Sequence, residues 1–248
     1  MRKPSIKILA SSSRGNSYII TTEDGVLLIE LGHPLVDVFK TIDYKISNIQ
    51  GVLVTHAHSD HAKYVRELAD GYGVAVYSTE EVADKCGILR RSPHCPHVVH
   101  PKQRFHIGKF SVLPLSVEHS TETYAYAIQH PQIGVMVFAT DCIDFPYNIK
   151  GCNHLFIEAN YSDEIIMRAA LDGVDIQSRS QYHMELDTTL EVIERHNAPE
   201  LRNVVLLHLS DRLSNEDKFI AEAKRVAPFA DVYAASGGME LELSKDPF

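Results

Sequence analysis

Apolar positions come first as short runs between turn residues, and later at helical spacing. Residues 5–10, 17–21 and 26–30 are rich in Ile, Leu and Val and are bounded by Ser/Gly or Asp-Gly turns, so each predicts a strand. The stretch 11–17 (SSSRGNS) between the first two reads as a polar loop. Residues 52–55 form a further buried strand. From residue 61 to 70, Ala62, Val65, Leu68 and Ala69 share one helical face. Residues 75–77 and 79–86 read as strand then helix, with Thr79 as N-cap. Strands follow at 110–117, 124–128 and 135–140. The C-terminal half mixes strands at 155–158, 204–207, 232–234 and 240–243 with helices at 163–171, 187–196 and 215–226. A strand meander followed by mixed strands and helices predicts an α/β fold whose sheets are covered by helices. With no internal repeat or linker, one domain over residues 1–248 is expected.

Composition narrows the class. At 44% hydrophobic and 23% charged residues the chain can bury a core, which excludes a disordered or low-complexity protein. No apolar run approaches the roughly 18 residues of a membrane span. The basic start MRKPSIKILA leads into an apolar stretch too short for a secretion signal, so a soluble, cytoplasmic protein is expected, with no membrane partner. The formal charge of −9 argues against a broad non-specific nucleic-acid surface. Residues 87–109 are the exception: they hold Arg90, Arg91, Lys102, Arg104, Lys109 and several histidines, with no Asp or Glu. This basic island reads as a loop at the edge of an anionic-substrate site. Cys86, Cys95, Cys142 and Cys152 are expected as free thiols. Cys86, His94, Cys95, His97 and His100 do not have the spacing of a zinc finger.

Fourteen histidines are unusually many, and histidine is the commonest metal ligand. Residues 55–61 read THAHSDH: a buried strand ends in three histidines and an aspartate. In a loop leaving a strand, His56 and His58 can aim at one point, and Asp60 and His61 follow as a helix begins. Imidazole nitrogens and carboxylate oxygens are ligands that Zn²⁺ accepts. Four such groups crowd a single open catalytic ion, so two adjacent ions are the natural reading. Three later strands also end in a ligand type: His119 after SVLPLSVE, Asp141 after VMVFAT and His208 after VVLL.

HxHxDH followed by His, Asp and His, each after a strand, resembles the metallo-β-lactamase superfamily. The resemblance implies a four-layer αββα sandwich. It implies that His56, His58 and His119 hold one metal, that Asp60, His61 and His208 hold the other, and that Asp141 bridges them. The ions would be divalent, Zn²⁺ or else Mn²⁺. Finer motifs are similar to the YycJ/WalJ nuclease-like branch, close to tRNase Z: SSSRGNSYII beside S-G-S-S-G-N-S, ATDC beside a T-D motif, IEANYS beside E-(A/S)-N-(H/Y)-D, and LLHLSD beside H-L-S. On that pattern Asn16 and Glu158 are expected near substrate. Two departures stand out. Glu30, in LIELG, occupies a place where the superfamily usually has Asp, and it can act behind the metal ligands. The branch's G-H-L-S-N segment reads YHMELD here, keeping His183 with changed neighbours.

The function this implies is a di-zinc phosphodiesterase on nucleic-acid or nucleotide diesters, with a 5′→3′ exonuclease implied by the branch. Asp60 would orient the attacking oxygen, and His183 would protonate the leaving alkoxide with Glu158 orienting it. Hydrolysis of cyclic nucleotides, as by compact phage enzymes that disarm Pycsar defence, is the alternative. Thioester or β-lactam hydrolysis and a non-catalytic metal-binding module are weaker readings. A homodimer is a family-level expectation.

Overall fold

The computed structural model describes residues 3–88, 96–171 and 181–245. Strands β1 (Ser5–Ser12), β2 (Gly15–Thr22), β3 (Gly25–Ile29), β4 (Ile49–Leu53), β5 (Val76–Ser78) and β6 (His97–Val98) follow one another across the first sheet. Strands β7 (Phe105–Ile107), β8 (Phe110–Val117), β9 (Thr123–His130), β10 (Gly134–Ala139), β11 (Cys152–Glu158), β12 (Asn203–Leu207) and β13 (Asp231–Ala234) form the second. The last strand, β14 (Glu240–Glu242), returns to pair antiparallel with β1. Helices α1 (Leu35–Thr41), α2 (Ser59–Ala62), α3 (Val65–Tyr72) and α4 (Glu80–Lys85) belong to the first half. Helices α5 (Asp163–Leu171), α6 (Leu186–His196) and α7 (Glu216–Val226) belong to the second.

Period-two alternation sorts the side chains into layers. Tyr18, Ile20, Leu27 and Ile29 of the first sheet pack with Tyr126, Phe138, Phe156 and Val205 of the second, forming the core between sheets. Their alternate neighbours Ile19, Val26 and Leu28 face outward onto Val38, Phe39, Val65 and Leu68 of the helices. On the other side Val137, Ile157, Val204 and Leu206 pack on Val192, Ile193, Phe219 and Ala223. The result is the expected αββα sandwich of two mixed sheets.

Strand direction positions the site. β3, β4 and β5 run parallel, as do β10, β11, β12 and β13. β8 and β10 are both antiparallel to β9, hence parallel to each other. The residues just past β3, β4, β8, β10, β11 and β12 therefore emerge at strand ends, where parallel sheets place ligands.

Three local expectations differ from the structure. The polar loop at 11–17 is a two-residue hairpin, because Ser12 pairs with Gly15 and the strands run up to the Ser13–Arg14 turn. Gly15 allows this: a Cβ there would lie 2.9 Å from the Gly32 carbonyl oxygen. The helix expected over 61–70 breaks after Ala62, where Leu31 intervenes. Its N–H donates to the His61 carbonyl at 2.7 Å, and its carbonyl accepts from Tyr64 N–H at 3.0 Å. The basic island contains β6 and β7, and part of it lies outside the described residues. Helix α1 adds to the expected elements. Thr79 caps α4 as expected, its Oγ1 accepting from Val82 N–H at 3.2 Å.

Candidate metal centre

The strand ends bring together all seven ligand-type residues of the sequence analysis. His56, His58 and His119 each offer a ring nitrogen within 4.8 Å of the other two, and so do His56, His61 and Asp141 taken with a carboxylate oxygen. Asp60, His61 and His208 form another such group. His208 also belongs to a fourth, with Asp141, Glu158 and His183. Asp141 stands between the groups: its Oδ2 is 3.0 Å from His61 Nε2 and its Oδ1 is 3.9 Å from His208 Nε2.

Four of the five imidazoles have a protein group behind them. His56 Nδ1 lies 2.8 Å from Thr55 Oγ1, and His119 Nδ1 lies 2.9 Å from the Tyr182 carbonyl oxygen. His61 Nδ1 lies 3.4 Å from Glu30 Oε1, and that carboxylate accepts the Thr55 N–H at 3.2 Å. Asn160 Nδ2 lies 3.1 Å from His208 Nδ1 and donates to the His208 carbonyl at 2.7 Å. Groups that fix one ring nitrogen aim the other. Glu30 thus takes the supporting place expected of it. Thr55, Asn160 and the Tyr182 carbonyl were not singled out from the sequence. IEANYS contains Asn160, but only the fold shows what its amide meets.

The residues present fit metal ions. His119 Nε2 and His208 Nε2 are buried nitrogens without a hydrogen-bond partner, which is costly unless something fills the gap. The field is suited to cations as well. Desolvation opposes ionisation of Asp141, but the charges of His208 and His61 outweigh it and hold the carboxyl well below its usual range. Burial also works against charge on His61, yet Asp141 and Glu30 drive its pKa well upward. His56 and His119 are pushed the other way, chiefly by desolvation, and are therefore held as neutral imidazoles able to ligate.

The backbone is strained at the same places. Glu30 (φ 60°), Asp141 (φ 51°) and His208 (φ 53°) all adopt the left-handed region at strand ends. Each such conformation costs on the order of 1–3 kcal/mol, and strain of this kind clusters at functional sites. Gly32 permits a further close approach, since a Cβ there would lie 1.6 Å from the Asp60 carbonyl oxygen.

His183 faces the cluster from the segment before α6. Its Nδ1 lies 2.6 Å from Glu158 Oε1 and 3.7 Å from Asp141 Oδ1. Desolvation lowers its pKa, but the hydrogen bond and charge of Glu158, with Asp141, outweigh that and push it up to about 9. Glu158 also accepts the Cys142 N–H at 2.7 Å. Asn16 Nδ2 lies 2.9 Å from His61 Nε2 and donates to the Ser12 carbonyl at 3.1 Å. Asn16 and Glu158, expected near substrate, are fully buried and engaged with protein groups. This geometry suits positioning of other side chains rather than direct contact with a substrate.

The basic island does not assemble into a metal site among the described residues. His97 stacks on Tyr77 with ring centroids 4.6 Å apart, while Cys86 Sγ faces the Ala62 carbonyl. His94 and Cys95 lie outside the described residues. Cys86, Cys142 and Cys152 are free thiols. Among the described residues no helix is long and apolar enough to cross a membrane.

A family model described as "Beta-lactamase superfamily domain" matches residues 34–209. The exodeoxyribonuclease YycJ of Bacillus anthracis is 38% identical over 77 residues, which are 30% of this chain and 29% of that protein. The chain thus spans about 29% of the length of this curated relative. The metallo-β-lactamase fold protein YhfI of Bacillus subtilis superposes with a TM-score of 0.76 at 18% identity, covering 97% of this chain and 100% of its own. The short form of human tRNase Z gives a TM-score of 0.67 at 14% identity, covering 96% and 99%.

Proposed function

The chain belongs to the beta-lactamase superfamily, and from that premise we propose that it is a metal-dependent hydrolase of nucleic-acid or nucleotide phosphodiesters. The observation that carries the reading is the meeting of five histidines, Asp60 and Asp141 at one set of strand ends, where His119 Nε2 and His208 Nε2 are buried without a partner and a carboxylate-backed His183 stands beside them. The likeness of one segment to an exodeoxyribonuclease favours DNA as the polymer.

In this reading His56, His58 and His119 would hold one divalent ion and Asp60, His61 and His208 a second, with Asp141 as a ligand common to the two; Zn²⁺ suits the donor set. When bound, such ions activate water and neutralise charge on a phosphoryl group. Asp60, beside His61, orients the attacking oxygen. Glu158 fixes the His183 ring through Nδ1, leaving Nε2 to deliver a proton to the leaving oxygen. A sugar alkoxide is a poor leaving group, so this proton matters. Glu30 stands behind His61 on its Nδ1 side, which leaves Nε2 for the ion. Thioester hydrolysis expels a thiolate, a good leaving group, and makes less use of a strongly proton-holding histidine.

The test is purified, metal-loaded protein on single- and double-stranded DNA, pre-tRNA, cyclic mononucleotides, nitrocefin and a glutathione thioester. Cleavage of diesters alone is expected. Turnover of nitrocefin or the thioester with diesters untouched would overturn the proposal.

A further inference from the structure

The ligand cluster occupies one arm of a larger depression. A cleft of about 180 Å³ is lined by His58, Asp60, His119 and Asp141. A second cleft of about 660 Å³ shares Ser13, His183 and His208 with it at the boundary. Its walls come from two turns. One is the Ser13–Arg14 hairpin between β1 and β2, and the other is the segment 209–212 that follows β12.

This second arm carries chemistry the metal centre does not use. Arg14 and Arg212 line it, together with the hydroxyl-bearing Ser13 and Ser210. On a chain of net charge −9, two guanidiniums beside the reacting centre are a local reversal of sign. The acid that lines the arm, Asp211, meets Arg14 Nη2 at 3.0 Å. Both side chains of that pair are largely solvent-exposed, at 85% and 78%, so the pair is worth little and exchanges readily. A phosphate can replace the Asp211 carboxylate on Arg14, with bidentate geometry and greater charge. Arg14 also stands where the resembling S-G-S-S-G-N-S motif has serine.

We propose that this arm binds a second phosphate of the substrate, one linkage from the bond that is cut, between Arg14 and Arg212. The inference rests on the phosphodiesterase reading and deepens it. The substrate then carries at least two phosphates, as an oligonucleotide does and a cyclic mononucleotide does not. His183 and His208 sit at the junction of the two arms, which puts proton delivery between the phosphates.

The experiment uses metal-loaded protein and a thymidine dinucleotide in three forms: without a terminal phosphate, with a 5′-phosphate and with a 3′-phosphate. Bis-p-nitrophenyl phosphate reports diester cleavage as such. One terminal phosphate should raise kcat/KM about tenfold or more, mainly through KM, as expected for a charge-assisted hydrogen bond. Arg14→Ala and Arg212→Ala should each shrink that preference, and lysine at either position should keep part of it. Equal cleavage of all three dinucleotides, or a preference untouched by both alanine variants, overturns the inference. Failure to cleave any diester, bis-p-nitrophenyl phosphate included, sinks the hydrolase reading instead. Calorimetric titration of the same dinucleotides then decides the anion site. Tighter binding of a phosphorylated form, lost in the double alanine variant, upholds it. Equal binding rejects it.

Discussion

His183 Nδ1 and Glu158 Oε1 stand 2.6 Å apart, and Glu158 has no exposed surface. The pair keeps a proton on His183 well above the ordinary imidazole range. The raised pKa means that the acid form is complete below 6.5 and is lost as pH rises through about 9. Bound ions would offset the charge of Asp141, so the alkaline limb of kcat/KM should fall between these values. Glu158→Gln should move that limb downward. A pH–rate profile unchanged by Glu158→Gln would remove the pair from proton delivery.

His183→Ala should slow hydrolysis of a natural diester by roughly 10²–10⁴-fold, the range of general-acid catalysis. Bis-p-nitrophenyl phosphate has a good leaving group and should suffer much less. Metal content should stay at the wild-type level in this variant and drop in His208→Ala. Elemental analysis beside the two rate measurements tells the roles apart. Equal defects on both substrates would contradict the assignment.

Asp141→Ala should abolish turnover and lower the metal content per chain. Asp144 lies three residues on, outside every ligand group among the described residues, and Asp144→Ala serves as the comparison. Matching metal loss in both variants would point to general destabilisation rather than to a bridging carboxylate.

Gly32→Ala tests how closely the ligand loop is packed. The new Cβ would meet the Asp60 carbonyl oxygen at 1.6 Å, and since the atom it meets is backbone, the loop must move. Overpacking costs roughly 1–3 kcal/mol, or more where little can yield. The measurements are a denaturant midpoint and the affinity for Zn²⁺, and both should fall. A variant with wild-type values would mean that the loop relaxes freely.

His154 offers a test of stability away from the centre. Fully buried, it shares Nδ1 with Asn203 Nδ2 at 2.9 Å and Nε2 with the Leu243 carbonyl at 3.1 Å. Desolvation lowers its pKa from 6.5 to about 4, so the folded protein holds the ring neutral. The unfolded chain binds the proton first, and stability should decline as pH falls from 6.5 towards 4, by up to about 3 kcal/mol. Urea unfolding at several pH values should show a shallower decline in His154→Gln. Identical slopes would assign the acid sensitivity to other groups.

Much of this architecture was legible because its signals are local. Ile19 and Ile20 alternate between faces, and THAHSDH concentrates four potential ligands in seven residues. Helix α1 carried its signal too, with Leu35, Val38, Phe39 and Ile42 at helical spacing behind Pro34. The break between α2 and α3 had no such signature, since Leu31, thirty residues upstream, makes it. The supports of the rings were equally hidden. Nothing in the sequence ties Asn160 to His208, or the Tyr182 carbonyl to His119, because those meetings are products of the sheet order. Thr55 differs: it adjoins His56, but many threonines adjoin histidines without gripping them.

The ligand groups draw on residues 56 to 208, carried by strands that pair in an order unlike a simple hairpin stack. Such a centre does not exist in any early fragment of the chain. During synthesis the histidines of THAHSDH emerge long before β12 can deliver His208, and they wait as separate, weak ligands. Metal capture by the whole group then becomes a late event, coupled to closing the second sheet, and mass action pulls the last steps of folding forward. A chain truncated before residue 208 could build many of these strands and still lack the full ligand set.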